Sequence, residues 1–413
     1  MNKNNFTFID LFAGAGGLAE GFLKNGFTPL AFVEMVKDSC FTLKTRLAYY
    51  HLQRNGRKDI YYDYLLGKIS RDYLYKEVPI EITNSVINRE VSEENIDEIF
   101  NIIHSVMLNL GIGKVDVIVG GPPCQAYSVA GRSADKDRKK YDSRNLLYKI
   151  YAKFLKEFNP RMFVFENVPG LLSANGGQYY RNMKKYFRRT GYFVAENILD
   201  ISDFGVLQKR KRVLLMGWKK KLGIEYPVFK KETKKLGVGV LFEDLPFLKA
   251  GESERFCRYT KDAHEYLALS GIRGDADFVT QHISRPLNAK DQWIYCLAID
   301  LWENQGMRLL NSGIPEGKRT HKNITSFLDR FKVVAKERLS HTILAHIAKD
   351  GHYYIYPDRK QLRSLSVREA ARIQSFPDDY FFEGSRTSSF RQIGNAVPPL
   401  MAGKIAEKIK DML

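Results

Sequence analysis

A cysteine that directly follows an apolar segment is the first residue whose setting indicates chemistry. The segment 115–119, Val-Asp-Val-Ile-Val, has the length and β-branched content of a buried parallel strand. Residues 120–123, Gly-Gly-Pro-Pro, end this segment, and the prolines stiffen the turn before Cys124. A thiol on a stiff turn is suited to nucleophilic attack, whereas the alternative is a buried structural cysteine.

Two more apolar segments end beside reactive side chains. Residues 162–165, Met-Phe-Val-Phe, predict a second buried strand that ends at Glu166. Because the carboxyl ends of neighbouring parallel strands share one crevice, we expect Cys124 and Glu166 to face the same pocket. Residues 208–212 lead into a third strand at 213–216, and strand alternation puts three of their side chains on one side: Gln208, Arg210 and Arg212.

A glycine-rich loop near the start of the chain predicts a nucleotide-type cofactor site. The apolar strand 6–12 runs into Ala-Gly-Ala-Gly-Gly and then a helix, so Gly14 and Gly16 let the backbone approach a ligand. A second strand, 29–33, ends at Glu34, whose carboxylate can accept hydrogen bonds from two ribose hydroxyls. The loop also fits the looser dinucleotide fingerprint, so by itself it does not distinguish NAD from another adenosine cofactor.

The composition limits the class of partner. The 413 residues carry a formal net charge of +18 and the pI is about 9.5, which favours a polyanion, with nucleic acid as the first choice. The four cysteines show no CxxC or metal-ligand spacing, so we expect reduced thiols and no metal site. We find no segment that is apolar and long enough to cross a bilayer, and residues 1–7 are polar, so we expect a cytoplasmic protein with no membrane partner.

Five motifs lie in order along the chain: Phe-Ile-Asp-Leu-Phe-Ala-Gly-Ala-Gly-Gly (8–17), Pro-Pro-Cys-Gln (122–125), Glu-Asn-Val (166–168), Gln-x-Arg-x-Arg (208–212) and Arg-Gln-Ile-Gly-Asn-Ala-Val-Pro-Pro (391–399). In order and spacing they resemble the motifs of DNA cytosine-5 methyltransferases of the bacterial restriction-modification type. The resemblance implies an α/β fold, the S-adenosylmethionine-dependent methyltransferase (Rossmann-like) doubly wound sheet, with a second, smaller target-recognition domain.

The domain organisation follows from the same resemblance. We expect a catalytic and cofactor-binding domain at 1–218, the small target-recognition domain at 219–362, and a return segment at 363–413 that completes the catalytic domain. The sequence from 219 onward is irregular and punctuated by glycine, which favours an inserted domain. Further along, Ser366 and Glu369 form a capping-box pattern, which predicts a well-capped structural helix that ends before a proline.

The resemblance also implies a role for each motif residue. Cys124 adds to C6 of the target cytosine, and Glu166 holds a proton against N3. Arg212 binds the O2 atom, and Arg210, the fourth residue of the catalytic set, holds neighbouring groups or backbone together with Gln208. Since these atoms are unreachable inside a duplex, the target base must flip out. The residues expected to bind S-adenosylmethionine are Phe12, Gly14, Gly16, Glu34, Met35, Pro122 and Asn395.

Further predictions concern DNA contacts and an insertion. Residues 126–140 form a polar, net basic loop, which predicts a lid that closes on DNA. The segment 36–113 exceeds the length that the family requires, and Asn88 and Asp59 are its candidates for a third cofactor contact. The residues expected to contact DNA are Ser128, Arg144, Gln208, Arg258, Arg285, Arg319 and Lys322.

Three other functions remain open from the sequence. They are a cytosine-5 methyltransferase that acts on RNA, a regulatory DNA-binding protein without catalysis, and an NAD oxidoreductase. The long inserted region favours double-stranded DNA as the substrate. We expect a nucleoid-associated monomer that belongs to one system with a cognate restriction endonuclease but does not contact it.

Overall fold

The computed structural model describes residues 6–123, 147–233, 236–321, 325 and 328–413. Apolar, β-branched segments form the strands, and the two longest of these lie side by side at one end of a mixed sheet. The strands are β1 (Thr7–Leu11), β2 (Thr28–Glu34), β3 (Val86–Asn88), β4 (Val117–Gly120), β5 (Met162–Asn167), β6 (Tyr192–Asp200), β7 (Lys211–Lys219), β8 (Ser253–Arg258) and β9 (Phe278–Ile283).

Seven of these strands form the main sheet in the order β3-β2-β1-β4-β5-β7-β6. The first five run parallel to one another, whereas β7 is antiparallel to both of its neighbours. The strand order reverses direction between β1 and β4, and the carboxyl ends of both strands open at the same edge. Ligands bind at such a switch point in doubly wound sheets, so the fold confirms the predicted α/β class.

Helices cover both faces of this sheet. Phe8 packs on one face with α1, α2 and α14, and Ile9 packs on the opposite face with α6, α7 and α9. The helices are α1 (Gly17–Lys24), α2 (Lys37–Arg54), α3 (Lys58–Leu65), α4 (Arg71–Lys76), α5 (Ile80–Asn84), α6 (Ile96–Asn109), α7 (Leu147–Phe158), α8 (Gly170–Ser173), α9 (Gln178–Arg189), α10 (Glu265–Leu269), α11 (Ala289–Gln305), α12 (Val367–Ile373), α13 (Arg386–Asn395) and α14 (Pro399–Met412).

The region 219–362 has a smaller core of its own around α11, where Ile294 and Ile299 are fully buried. A second core, however, joins this region to the rest of the chain, since Leu267 and Val334 pack in one cluster with Leu365 and Phe390. The small region therefore shares an apolar core with residues on the far side of the predicted boundary at 362.

The end of the chain packs against its beginning. The capping box at Ser366 is present, and α12 ends as predicted before the proline. Helix α14 lies against α1 so closely that a Cβ on Gly21 would come within 2.2 Å of the Ala402 carbonyl carbon. Among the described residues, none of the helices combines the length and the apolar character that a bilayer crossing requires.

Candidate active site

The glycine loop after β1 and the end of β2 form one unit. Phe12 and Gly14 both adopt left-handed backbone, with φ of 58° and 55°. This turn points the Gly14 N–H at Glu34 Oε2, at 2.8 Å, while the Val36 N–H donates to Glu34 Oε1 at 2.7 Å. Burial raises the pKa of Glu34, and the two backbone donors oppose that effect. The carboxylate is therefore fixed at the carboxyl edge of the sheet.

The two loop glycines have different surroundings. A Cβ on Gly14 would have no heavy atom within 4 Å, so the space beside this residue is open. A Cβ on Gly16 would lie 2.7 Å from Leu43 Cδ2 and 2.9 Å from the Tyr380 hydroxyl, so this glycine is needed for packing. Gly14 thus leaves room for a ligand, whereas Gly16 holds the loop against the protein.

Strand register distinguishes the two candidates for a third cofactor contact. Asn88 ends β3 and is the register partner of Glu34. Its Nδ2 donates to the carbonyl oxygens of Glu34 and Met35, at 3.0 and 2.9 Å. Asp59 lies instead in α3, beside the β8–β9 ribbon. Asn88 therefore remains the candidate. Met35 follows Glu34 and is 58% exposed, so its side chain is accessible.

A buried carboxyl group, Asp10, lies in the central strand β1. Only 1% of the residue is exposed, and within the described part of the chain its Oδ2 has no hydrogen-bond partner. Burial, and then the charge of Glu34, raise the pKa of Asp10 well above its usual value. Burial therefore favours the protonated form of this acid, which lies in the strand that leads to the glycine loop.

A second site lies where β5 ends and β7 begins. Glu166 and Arg212 form an ion pair with 2.6 Å between Oε1 and Nε, and both side chains are largely buried. The antiparallel pairing of β5 with β7 brings them together, because Glu166 is in register with Leu214. The Arg212 guanidinium also donates to the carbonyl oxygen of Lys211 at 2.9 Å. The predicted acid and the predicted arginine thus lie side by side.

The turn that follows β4 is held against this ion pair. Asn167 Nδ2 donates to the Pro122 carbonyl at 3.2 Å, and its Oδ1 accepts from the Val168 N–H at 2.9 Å. A Cβ on Gly121 would lie 2.8 Å from Glu166 Oε2, so only glycine lets this backbone approach the carboxylate without displacing it. The polypeptide leading toward residue 124 is thereby fixed next to Glu166.

Two predicted site residues do not face the pocket. Gln208 is 0% exposed; it donates to Gln374 Oε1 at 2.9 Å and accepts from the Ile343 N–H at 3.0 Å. Arg210 is also buried and donates to carbonyl oxygens in two distant segments, at Ile343 and at Gly394. The DNA contact predicted for Gln208 is corrected, because this buried side chain makes its hydrogen bonds within the protein. Arg210 holds backbone segments next to the site and does not face a substrate.

Comparison with known proteins identifies the family of this chain. Residues 6–64 and 82–411 match the model of the family described as C-5 cytosine-specific DNA methylase. The chain belongs to this family. The protein is thus a DNA cytosine-5 methyltransferase, which decides against the oxidoreductase and the inactive regulator. The unmatched residues 65–81 lie within the long segment that contains α4, in agreement with an insertion there.

Relatives of this methyltransferase include bacterial Type II enzymes. M.Bpa9945I of Bacillus paralicheniformis is 42% identical, over 98% of either chain. M.AgeI of Thalassovita gelatinovora is 30% identical, over 97% of this chain and 98% of its own. A crystal structure of a prophage-encoded DNA modification methyltransferase from E. coli shares the fold, with a TM-score of 0.68, 21% identity and 99% coverage of each chain.

The DNA contacts predicted in the small region of the methyltransferase have different surroundings. Arg258 is exposed on β8 and pairs with Asp277, so it remains accessible. Arg285 is half-buried and donates to three successive carbonyl oxygens at 347–349, so it supports a loop instead of offering a free cation. Arg319 is directed at carbonyl oxygens of its own turn, including that of Ile314 at 2.7 Å.

Several predictions for the methyltransferase lie outside the described residues: Cys124, Ser128, Arg144 and Lys322, together with the lid at 126–140. Asn395 is described and exposed at the end of α13. The carbonyl oxygens of its two neighbours, Gly394 and Ala396, accept hydrogen bonds from Arg210, which fixes the backbone on both sides of Asn395.

Sequence reasoning missed three residues of this site. Asn167 stands in the Glu-Asn-Val motif, and a buried amide at a strand end was a usable signal. Asp10 was visible as one acid inside an apolar strand. Tyr380, whose hydroxyl donates to the Ala15 carbonyl of the glycine loop, gave no signal because this contact spans 365 residues.

Proposed function

We propose that this methyltransferase transfers a methyl group from S-adenosylmethionine to C5 of a flipped cytosine within a specific sequence of double-stranded DNA. The observation that carries the proposal is the Glu166–Arg212 pair, which stands beside the Asn167-held turn that leads to Cys124. An acid and a hydrogen-bond donor side by side fit the pairing edge of a cytosine ring, and the turn beside them leads in sequence to the cysteine proposed to attack C6.

The glycine-loop site fits the proposed cofactor. The fixed Glu34 carboxylate suits the ribose hydroxyls, and Met35 is accessible to an adenine ring. Asn88 donates both of its described hydrogen bonds through nitrogen, which leaves its carbonyl oxygen to accept from an exocyclic amine. Phe12, Pro122 and the Asn395 backbone complete the expected cofactor contacts. S-adenosylmethionine supplies an electrophilic sulfonium methyl group when bound.

Cys124 is proposed as the nucleophile. Its thiolate forms a bond to cytosine C6, and the electron pair of the C5–C6 double bond then becomes available at C5. The support is the position of the turn, because the Pro122 carbonyl is held by Asn167 only two residues before the cysteine. After C5 gains the methyl group, its proton leaves and the Cys124–C6 bond breaks, which restores the aromatic ring and the free thiol.

Glu166 and Arg212 are proposed to recognise and activate the ring. Glu166 holds a proton at N3, so that negative charge does not accumulate there as the thiolate adds. Arg212 binds O2, which uracil and cytosine both carry, so this contact does not distinguish the two bases. They differ at N3, which Glu166 contacts, and at the exocyclic amine, which only cytosine has. Before the base arrives, the ion pair keeps both side chains aligned, and Glu166 takes up the proton that it holds at N3 as the base enters.

The biological setting is proposed from the relatives. M.Bpa9945I and M.AgeI are named Type II methyltransferases, which supports the role of modification enzyme in a restriction-modification system. The net charge of +18 suits a long phosphate backbone. We propose that the enzyme works as a cytoplasmic, nucleoid-associated monomer without contacting the cognate nuclease, and that DNA rather than RNA is its substrate.

A covalent trap tests the proposal. Duplexes that carry 5-fluorocytosine at the target position, incubated with enzyme and S-adenosylmethionine, are expected to form an adduct that survives a denaturing gel. Cys124→Ala is expected to form none and to keep DNA affinity. The target position is found first by expressing the gene in a methylation-deficient bacterium and sequencing its methylome. If Cys124→Ala still methylates DNA, the assigned nucleophile is wrong.

A further inference from the structure

The segment Pro377–Tyr380, between α12 and α13, is held from two opposite sides. The small region holds Asp378, since its N–H donates to the Ile272 carbonyl at 2.7 Å and its carbonyl accepts from Thr280 Oγ1 at 3.0 Å. The Tyr259 hydroxyl donates to Asp378 Oδ2 at 2.9 Å. Backbone and side chain of Asp378 are therefore both fixed by the region that is expected to read DNA.

The other side of the segment touches the cofactor site. The Tyr380 hydroxyl donates to the Ala15 carbonyl, inside the glycine loop, and only 1% of Tyr380 is exposed. Asp379 Oδ1 accepts from Arg46 Nη1 at 3.0 Å. The same guanidinium binds both carboxylate oxygens of Glu20, in the first turn of α1, at 2.6 and 2.9 Å. Two adjacent residues thus tie the segment to the loop and to the helix that follows it.

We infer that Tyr380 is a positioning residue for the glycine loop and that the segment Pro377–Tyr380 couples DNA binding by the small region to cofactor binding. The inference rests on the proposed function. The loop contains left-handed backbone at Phe12, a non-glycine residue, which costs energy unless its surroundings hold it. The Tyr380 hydroxyl supplies such a hold at the carbonyl between Gly14 and Gly16.

Coupling follows because one short segment serves two sites. A duplex that binds the small region in this arrangement stabilises its contacts with Asp378, and through the next two residues it stabilises the contact of Tyr380 with the loop. The cofactor then meets a loop that is held more firmly in place, so it binds more tightly, and by linkage the cofactor tightens DNA binding by the same factor. A purely space-filling Tyr380 predicts neither effect, since its ring packs on Phe376 and Phe382 without help from the hydroxyl.

Calorimetry with S-adenosylhomocysteine tests the inference. Tyr380→Phe keeps the ring and is expected to weaken binding roughly fivefold, the ratio expected for one buried hydrogen bond. The KM for S-adenosylmethionine should rise by a similar factor while kcat at saturation stays within about twofold of wild type. Tyr192→Phe is the matched control, since this buried hydroxyl also donates to a backbone carbonyl, that of Pro160, but far from the loop. It is expected to leave binding unchanged.

Adding a duplex with the methylated site tests the coupling. In wild type the duplex should tighten S-adenosylhomocysteine binding, and Tyr380→Phe should reduce this gain. Tyr259→Phe should reduce the gain while leaving binding without DNA unchanged. Wild-type affinity in Tyr380→Phe overturns the positioning role, and an absence of any gain in wild type overturns the coupling. If wild type binds no S-adenosylhomocysteine, the proposed function fails first and this inference with it.

Discussion

Replacing Asn167 by alanine probes whether the turn before Cys124 must be held in place. Asn167 is 1% exposed and makes two hydrogen bonds, to the Pro122 carbonyl and from the Val168 N–H. Each is worth about 1 kcal/mol, and a buried partner left unsatisfied costs about 1–3 kcal/mol. We expect the free energy of unfolding to fall by about 2–4 kcal/mol.

The catalytic effect should exceed the loss of stability. Releasing the Pro122 carbonyl lets the turn move relative to Glu166, and a misplacement of about 1 Å in a reacting group costs on the order of 100-fold in rate. We therefore expect kcat to fall about 10- to 100-fold. The KM for S-adenosylmethionine should change less than kcat, because Pro122 is only one of several expected cofactor contacts and Asn167 has no contact with the glycine loop in the described structure.

The assay combines urea denaturation with steady-state transfer of labelled methyl groups to DNA. Asn25→Ala serves as the control, since Asn25 Nδ2 also makes two hydrogen bonds, to the carbonyls of Gly21 at 2.8 Å and Gly403 at 3.1 Å, away from the pocket. This control should lose stability but keep kcat. A fully active Asn167→Ala enzyme, or an equal loss of kcat in both variants, would refute the reasoning.

Three further substitutions test the pocket and the strand beneath it. Glu166→Gln should lower kcat by about 100-fold or more while DNA affinity persists, and unchanged turnover would exclude Glu166 as the N3 acid. Gly121→Ala should lower kcat and not cofactor affinity, because its Cβ would lie 2.8 Å from Glu166 Oε2; wild-type kinetics would mean that the carboxylate moves freely. In Asp10→Asn, the raised pKa of Asp10 sets the sign. Unfolding exposes the carboxyl group, which releases its proton above about pH 4, so rising pH removes this contribution from wild type, whereas the variant has none to lose. Urea denaturation at pH 5 and pH 7 should show the variant gaining relative to wild type by at most about 1.4 kcal/mol per pH unit, and a difference in stability that does not change with pH would contradict a raised pKa of Asp10.

The strand ends were predictable from the sequence because each is marked locally. The apolar runs before Glu166 and before Cys124 are interrupted by polar or turn-forming residues, and parallel pairing then brings their ends to one edge. The capping box of α12 was likewise legible, since it depends on residues only three positions apart. The sequence therefore predicts the features that residues close together in the chain determine.

The residues that were hardest to place are those whose environment comes from remote parts of the chain. Strand alternation gave the side on which Gln208 and Arg210 lie, but not that residues near 343 and 394 cover that side. Arg285 resembled any surface cation until its carbonyl partners at 347–349 were known. Asn88 and Asp59 could not be ranked, because only the β2–β3 register places one of them beside Glu34.

Several remote contacts that complete the site come from the last fifty residues of the chain. Arg210 requires the carbonyls at 394 and 396, the glycine loop requires Tyr380, and a Cβ on Gly17 would lie 2.2 Å from the carbonyl oxygen of Val397. Both halves of the site are therefore completed only when the return segment packs onto the sheet. It follows that substitutions in this segment can abolish methyl transfer without touching DNA or cofactor, and that loss of activity alone does not identify a catalytic residue there.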